Sequence, residues 1–350
     1  MNALMESQNV RIALDLNEFE RFVTQRNPTK IAVIVDENTH EHCYPLLKPF
    51  LPTEHLLIEI QSGEQNKTLT TCSHIWQQMT DYAMDRKGMV INLGGGVIGD
   101  MGGFCATTYK RGIDFIQMPT TLLSQVDASV GGKLGIDFQQ FKNHIGTFKI
   151  PNLVYIYIPF LQTLSARQLL SGYAEVIKHC LIADADKWQT LQQSNYHTLD
   201  WQDIVQHSVA VKAQVVDTDP YERGLRKILN FGHTIGHAIE SYYLTDDQRA
   251  LLHGEAIAIG MMCEAYLAQQ KGFIGESDLN RITQYIDKLY PTLTIKDEEV
   301  AAIAQLTRQD KKNEGGKIQC TLLEQVGKAN FNQPITLNEV SQALQWYQGL

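Results

Sequence analysis

Met89-Val-Ile-Asn-Leu-Gly-Gly-Gly-Val-Ile-Gly-Asp100 is the stretch whose reading decides the fold. Met89 to Leu93 is a short apolar run that reads as a strand. Gly94 to Gly99 then spells Gly-x-Gly-x-x-Gly, and a helix is predicted to follow. Glycines at such a turn let the backbone approach a pyrophosphate, and the helix N-terminus favours its charge. Glycine-rich turns between strand and helix also arise for steric reasons alone, so the pattern needs company. It departs from the usual dinucleotide fingerprint as well, because the next strand, Asp114-Phe-Ile-Gln-Met-Pro119, ends without an acid to take a ribose.

Upstream, Ile31-Ala-Val-Ile-Val35 is a continuous β-branched run, the pattern of a strand buried on both faces of a parallel sheet. Asp36 closes it at the carboxyl end, where open α/β sheets bind ligands, and is the better ribose candidate. Asn38 and His42 follow closely. Leu56–Ile60 is a further strand leading into the polar turn Ser62-Gly-Glu-Gln-Asn-Lys67, and a helix is predicted over Thr70–Met84. Downstream, Pro119-Thr-Thr supplies two hydroxyls at a strand end, and Asp127 and Lys133 flank a run of small residues that a ligand could approach. Each charged residue taken singly is equally a solvated surface charge. Pro151-Asn-Leu-Val-Tyr-Ile-Tyr-Ile-Pro159 reads as a strand bounded by prolines and marks the expected domain boundary.

The remainder reads as mostly helical. In Leu229-Asn-Phe-Gly-His-Thr-Ile-Gly-His-Ala-Ile-Glu-Ser241, His233 and His237 stand four apart, on one face of a helix. Two imidazoles one turn apart suit a transition metal such as zinc, although histidines at this spacing also serve ordinary local hydrogen bonds. Thr234 occupies the place of the general base in the zinc-protease motif, so that chemistry is excluded. Arg226 and Asn230 precede at helical spacing and are expected on the same helix, as a wall for an anion. Leu252-His-Gly-Glu255 opens another helix, and Glu175 and Lys178 stand three apart on one face of an earlier one, in a spacing that also fits a plain surface ion pair.

The chain has 350 residues, which favours two domains, expected at 1–160 and 161–350. A formal charge of −9 argues against nucleic acid or an anionic membrane as the main partner, so an anionic substrate needs a local cluster of cations. The six cysteines are scattered without a Cys-x-x-Cys, as in a reduced cytoplasmic protein. The first ten residues lack the pattern of a signal peptide, and the apolar run from Ala256 to Ala268, interrupted by Glu264, is too short to span a bilayer.

Taken together, Gly94–Asp100, Tyr109-Lys-Arg-Gly-Ile-Asp-Phe115, Pro119–Leu123, Gln125–Lys133, Ala174-Glu-Val-Ile-Lys178, Arg223-Gly-Leu-Arg226, Asn230–His237 and His253-Gly-Glu-Ala256 resemble the 3-dehydroquinate synthase family, over nearly the whole chain. The resemblance implies an α/β fold, with an N-terminal Rossmann-like parallel-sheet NAD domain followed by a mainly α-helical metal- and substrate-binding domain. It implies a phosphate lyase that converts 3-deoxy-D-arabino-heptulosonate 7-phosphate to 3-dehydroquinate. C5 is oxidised by NAD, phosphate leaves by β-elimination, C5 is reduced again, and an intramolecular aldol reaction closes the ring. It assigns a divalent metal, zinc or cobalt, to Glu175, His233 and His253, and turns His237 from a ligand into a substrate contact. Lys133, Lys142, Lys178, Lys212 and Arg226, with Asp127, Asn143 and Asn230, fall at substrate positions, and Lys311 and Lys312 match a basic loop. Asp36, Asn38, His42, Glu64, Lys67, Gly95, Gly96, Asp100, Thr120, Thr121 and Thr163 fall at NAD positions, which Lys133 and Lys142 share. Arg111 matches an arginine that reaches the neighbouring subunit's site, implying a homodimer. The competing readings are another sugar phosphate cyclase, such as a 2-deoxy-scyllo-inosose synthase, a metal-dependent polyol or glycerol phosphate dehydrogenase, and a binding protein without activity.

Overall fold

The structure is a computed structural model that describes residues 2–139, 141–244, 246, 248–309 and 317–350. The chain divides into two compact units, residues 1–165 with 201–217, and residues 166–200 with 218–350.

The first unit is built on a parallel sheet. Its strands are β1 (Val10–Ala13), β2 (Ile31–Asp36), β3 (Leu56–Ile60), β4 (Met89–Gly94) and β5 (Asp114–Pro119). Next come β6 (Lys133–Phe138) and β7 (Phe141–Phe148), which form a two-stranded sheet of their own among the described residues, and then β8 (Leu153–Tyr157). The sheet order is β1-β8-β5-β4-β2-β3, and every neighbouring pair is parallel. Side chains alternate across the sheet. Ile31, Val33 and Val35 enter one core, while Ala32 and Ile34 enter the other. Helices cover both faces, so both sets are buried and the strands read as continuous apolar runs. On one face, Cys72, Ile75 and Met79 of a helix over Leu69–Asp81 pack with Ile98 and Met101 of the helix after the glycine loop. On the other lie Phe19, Val23, Cys43 and Leu47.

The strand order explains the displaced acid. The chain goes outward from β2 to the edge strand β3, then crosses back to lay β4 on the other side of β2. The switch point lies between β2 and β4, and ligands bind open α/β sheets at the carboxyl ends of such strands. Asp36 ends β2 and Gly94 ends β4, so the acid and the glycine turn stand on neighbouring strands although 58 residues separate them.

In the second unit, helix α1 (Ala166–Ala183), helix α2 (His233–Tyr243) and helix α3 (His253–Gln270) carry the motif residues. A two-stranded antiparallel ribbon, β9 (Ile318–Gln325) with β10 (Lys328–Ile335), belongs to the same unit. Helix α3 is buried nearly all round, including Ile257, Ile259, Met261 and Ala265. It is the apolar run of the sequence, and no helix among the described residues is long and apolar enough to cross a membrane.

Three helices meet here because glycines leave no side chain between them. A Cβ on Gly260 of α3 would lie 1.9 Å from the Gly232 carbonyl and 2.7 Å from the Gly236 nitrogen. A Cβ on Gly254 would lie 1.8 Å from the Ser171 carbonyl of α1. Gly232, Gly236 and Gly254 each sit next to a motif histidine in the sequence, so the same short motifs set the helix contacts and place the imidazoles.

Candidate active site

In the second unit the site is a carboxylate facing two imidazoles. Glu175 projects from α1, His233 from the first turn of α2 and His253 from the first turn of α3. His233 Nε2 and His253 Nε2 each lie 3.5 Å from the same oxygen, Glu175 Oε1. Ligands at about 2.0–2.1 Å around a tetrahedral metal are about 3.4 Å apart, so the spacing suits ligands of a single ion. Glu175 Oε2 meets Lys178 Nζ, and both residues are 1% exposed, so this pair is not the surface ion pair that its spacing also allowed.

The electrostatics fit a cation. Burial, reinforced by Lys178, holds His233 well below the ordinary imidazole range, in the neutral form that a metal requires. Burial opposes charge on His253 too, but hydrogen bonds to Glu175 and Glu240 overcome it and push that imidazole up to about 10. The carboxylates on its two ring nitrogens favour positive charge there, and an ion on Nε2 would meet the same demand. Glu240 Oε2 lies 3.4 Å from His253 Nδ1, the carboxylate–histidine arrangement that orients a metal-bound imidazole. The His237 ring lies 5.1 Å from that of His233 and 5.6 Å from that of His253, close enough to face a bound ligand.

Arg226 and Asn230 depart from expectation. They lie on a separate short 3-10 helix, Leu225–Asn230, not on the helix of the histidines. Gly232 takes a left-handed φ of 81° and starts α2 in a new direction, which helical spacing alone could not show. Arg226 is 2% exposed and donates from its guanidinium to the Pro220 carbonyl at 2.7 Å. Asn230 donates to Glu222 Oε1 at 2.8 Å. Asp219 ties the segment down, accepting from the backbone nitrogens of Arg223, Gly224 and Arg226.

The first unit holds the glycine turn and the residues expected around a nucleotide. The helix Gly96–Thr108 begins at Gly95 with no side-chain cap, which leaves its first N–H groups for a ligand. A crevice at this end is lined by Gly95, Gly96, Asp100, Ser124 and Ala128. A Cβ on Gly95 would press on Thr121 at 3.3 Å, so the loop is bare where a pyrophosphate would lie. Thr120 donates its N–H to the Gly94 carbonyl, and Thr121 exchanges hydrogen bonds with Ser124. Asp36 accepts from Thr39 N at 2.8 Å and so caps the short helix that presents Asn38 and His42, both exposed.

Four expected residues converge nearby. Lys67, 3% exposed, donates to Asp100 Oδ2 at 2.7 Å and Asn143 Oδ1 at 2.6 Å, with Glu64 Oε1 at 3.8 Å. Asn143 holds a left-handed φ of 50° and donates its N–H to Asp137. Asp127, on a π-helical turn over Ser124–Ala128, pairs with Lys212 at 2.8 Å, and Lys212 also donates to the Asp127 carbonyl at 2.6 Å. Lys133 is exposed at the start of β6 and Lys142 is half-buried in β7. Thr163 ends a 3-10 turn and donates to the Phe160 carbonyl, and Arg111 is exposed on the turn after the helix Gly96–Thr108, with φ 70°. Lys311 and Lys312 lie outside the described residues.

Glu240, Glu255 and Glu264 take roles here that no motif assigned to them. Glu255 is 4% exposed, takes the guanidinium of Arg167 and caps the start of α3 at Leu252 N. The available signal was a carboxylate inside an apolar run, since a buried charge needs partners.

Two family models match the chain in succession, 3-dehydroquinate synthase N-terminal over residues 57–171 and C-terminal over residues 172–313. The 3-dehydroquinate synthase of Parabacteroides distasonis is 40% identical over 349 residues, 98% of each chain. Among solved structures, the 2-epi-5-epi-valiolone synthase of Streptomyces hygroscopicus, with NAD+ and Zn2+ bound, superposes with a TM-score of 0.83 at 26% identity over 97% of this chain and 96% of that one. A 2-deoxy-scyllo-inosose synthase complexed with carbaglucose-6-phosphate, NAD+ and Co2+ reaches 0.81 at 23% identity over 96% of each, a likeness of fold. The chain belongs to the 3-dehydroquinate synthase family.

Proposed function

We propose that this chain converts 3-deoxy-D-arabino-heptulosonate 7-phosphate to 3-dehydroquinate and phosphate, with residues 1–160 holding NAD and residues 161–350 holding a divalent metal and the substrate. The observation that carries the reading is the pair of imidazole nitrogens, each 3.5 Å from Glu175 Oε1, in a chain 40% identical to a 3-dehydroquinate synthase over 98% of its length. When bound, NAD would supply the hydride acceptor and donor for C5, and the metal would supply a Lewis acid that lowers the pKa of the hydroxyl being oxidised.

The chain's own residues divide the remaining work. Glu175, His233 and His253 hold the metal, and Glu240 orients His253. His237 hydrogen-bonds the substrate. Lys133, Lys142, Lys178, Lys212 and Arg226 meet the carboxylate and phosphate, giving an acidic protein its local cations, with Asp127, Asn143 and Asn230 as polar contacts and Lys311 and Lys312 as a basic loop. Asp36 takes a ribose, Gly95 and Gly96 admit the pyrophosphate, and Asn38, His42, Glu64, Lys67, Asp100, Thr120, Thr121 and Thr163 surround the cofactor, joined by Lys133 and Lys142. Arg111 reaches the phosphate site of a second copy, which makes the enzyme a homodimer. The six buried free cysteines fit a reducing cytoplasm.

Purified protein with NAD, zinc and the heptulosonate phosphate tests the reading. Phosphate and 3-dehydroquinate are expected in equal amounts with no build-up of NADH. Accumulating NADH, or no turnover with metal bound, refutes it.

A further inference from the structure

We propose that Glu264 is a positioning residue for His233, holding this metal ligand in place through the first turn of its helix. The inference rests on the reading of His233 as a ligand.

Helix α2 begins at Gly232 and has no side-chain cap of its own. The first N–H groups of any helix lack partners within it. Here the partner comes from α3. Glu264, fully buried, accepts from Gly232 N at 2.6 Å through Oε2 and from Ile235 N at 3.1 Å through Oε1. The two bonds bracket His233 in the sequence. A carboxylate at this end also meets the positive end of the helix dipole, and its bonds to N–H groups are charge-assisted.

The helices run antiparallel, with residue 232 beside 260, 236 beside 256 and 240 beside 253. Glu264 and His253 are 11 residues apart on α3, about three turns, and so share a face. Helix α3 therefore supplies one ligand and fixes the other, while Glu240 of α2 orients His253 in return. Gly232 packs closely against Ile257 and Met261, His233 Nδ1 faces the Phe231 carbonyl at 3.1 Å, and the Glu264 carboxylate holds the N–H groups on either side of the imidazole's residue. Metal bonds tolerate only about 0.2 Å of error, so a looser turn shows first as weaker binding.

Glu264→Gln keeps the shape but turns one acceptor into a donor facing an N–H. Its apparent zinc Kd, read by chelator competition well below the melting temperature, is expected to weaken about 10- to 100-fold, as for other groups that orient ligands. Val340→Ala, a cavity variant at a buried site outside α1, α2 and α3, controls for plain destabilisation and is expected to keep its zinc Kd within about two-fold. His233→Ala separates the two readings. If it binds zinc like the parent, the ligand assignment is wrong. If it loses zinc while Glu264→Gln binds like the parent, the positioning role is wrong. Equal weakening in Val340→Ala also overturns the role. Should Glu264→Gln fail to fold, hydrogen exchange on the parent decides. Slow exchange at Gly232 and Ile235 upholds the bonds to Glu264, and exchange as fast as at frayed helix ends refutes them.

Discussion

Gly260→Ala sets two effects of opposite sign against each other. Gly260 lies inside α3, where alanine is the better helix former by about 1 kcal/mol. Propensity alone therefore forecasts a more stable protein. The structure forecasts the reverse. The new Cβ would stand 1.9 Å from the Gly232 carbonyl and 2.7 Å from the Gly236 nitrogen, where ordinary contact is about 3.5 Å. Both obstacles are backbone, so no flexible side-chain end can swing aside, and α2 must retreat by more than about 1 Å. Overpacking of this kind costs about 1–3 kcal/mol, and the direct backbone clash puts this case at or beyond the upper end. The net loss is about 2 kcal/mol, or a melting temperature about 4–8 °C lower. The same retreat exceeds the tolerance of a metal bond, so zinc affinity should fall at least about ten-fold. Thermal denaturation and chelator competition measure the two effects. Gly275→Ala is the control, because Gly275 has φ −82° and nothing within 4 Å of its would-be Cβ. A Gly260→Ala protein that melts at or above the parent temperature with intact zinc affinity would show that α2 and α3 do not meet as closely as described.

Other predictions follow from single contacts. His253→Ala should lose metal and activity but keep its fold by circular dichroism, and retained metal with full activity would remove it from the ligand set. Lys67→Met leaves Asp100 without its buried cation, so stability should drop by about 3 kcal/mol and NAD affinity with it, and an unchanged NAD titration would count against Lys67 at the cofactor. Glu299, 5% exposed, is held by Arg249 at about 2, below the ordinary value of 4.5. A depressed acid stabilises the fold above its unfolded pKa, and that contribution, about 2–3 kcal/mol, is lost as pH falls from about 4.5 towards 2. Acid denaturation monitored by tryptophan fluorescence should therefore be shallower in Glu299→Gln, and an identical acid limb would refute the pairing with Arg249.

Residues near in the chain made much of this protein legible. The runs Ile31–Val35, Leu56–Ile60 and Met89–Leu93 became strands because continuous β-branched and apolar residues suit a sheet covered on both faces. The glycine turn after Met89–Leu93, and the two histidines one helical turn apart, follow from spacing alone. The motifs taken together carried the family and its reaction. Tertiary structure decided the rest, because it depends on residues far apart in sequence. It put Asp36 on the strand beside Gly94, faced Glu175 with His233 and His253, and moved Arg226 and Asn230 off the helix that spacing had given them, since a left-handed Gly232 breaks the chain's direction. It also turned Glu264, in sequence only an interruption of an apolar run, into the carboxylate that anchors α2. A buried charge must find partners, and only the packed helices show which donors are within reach.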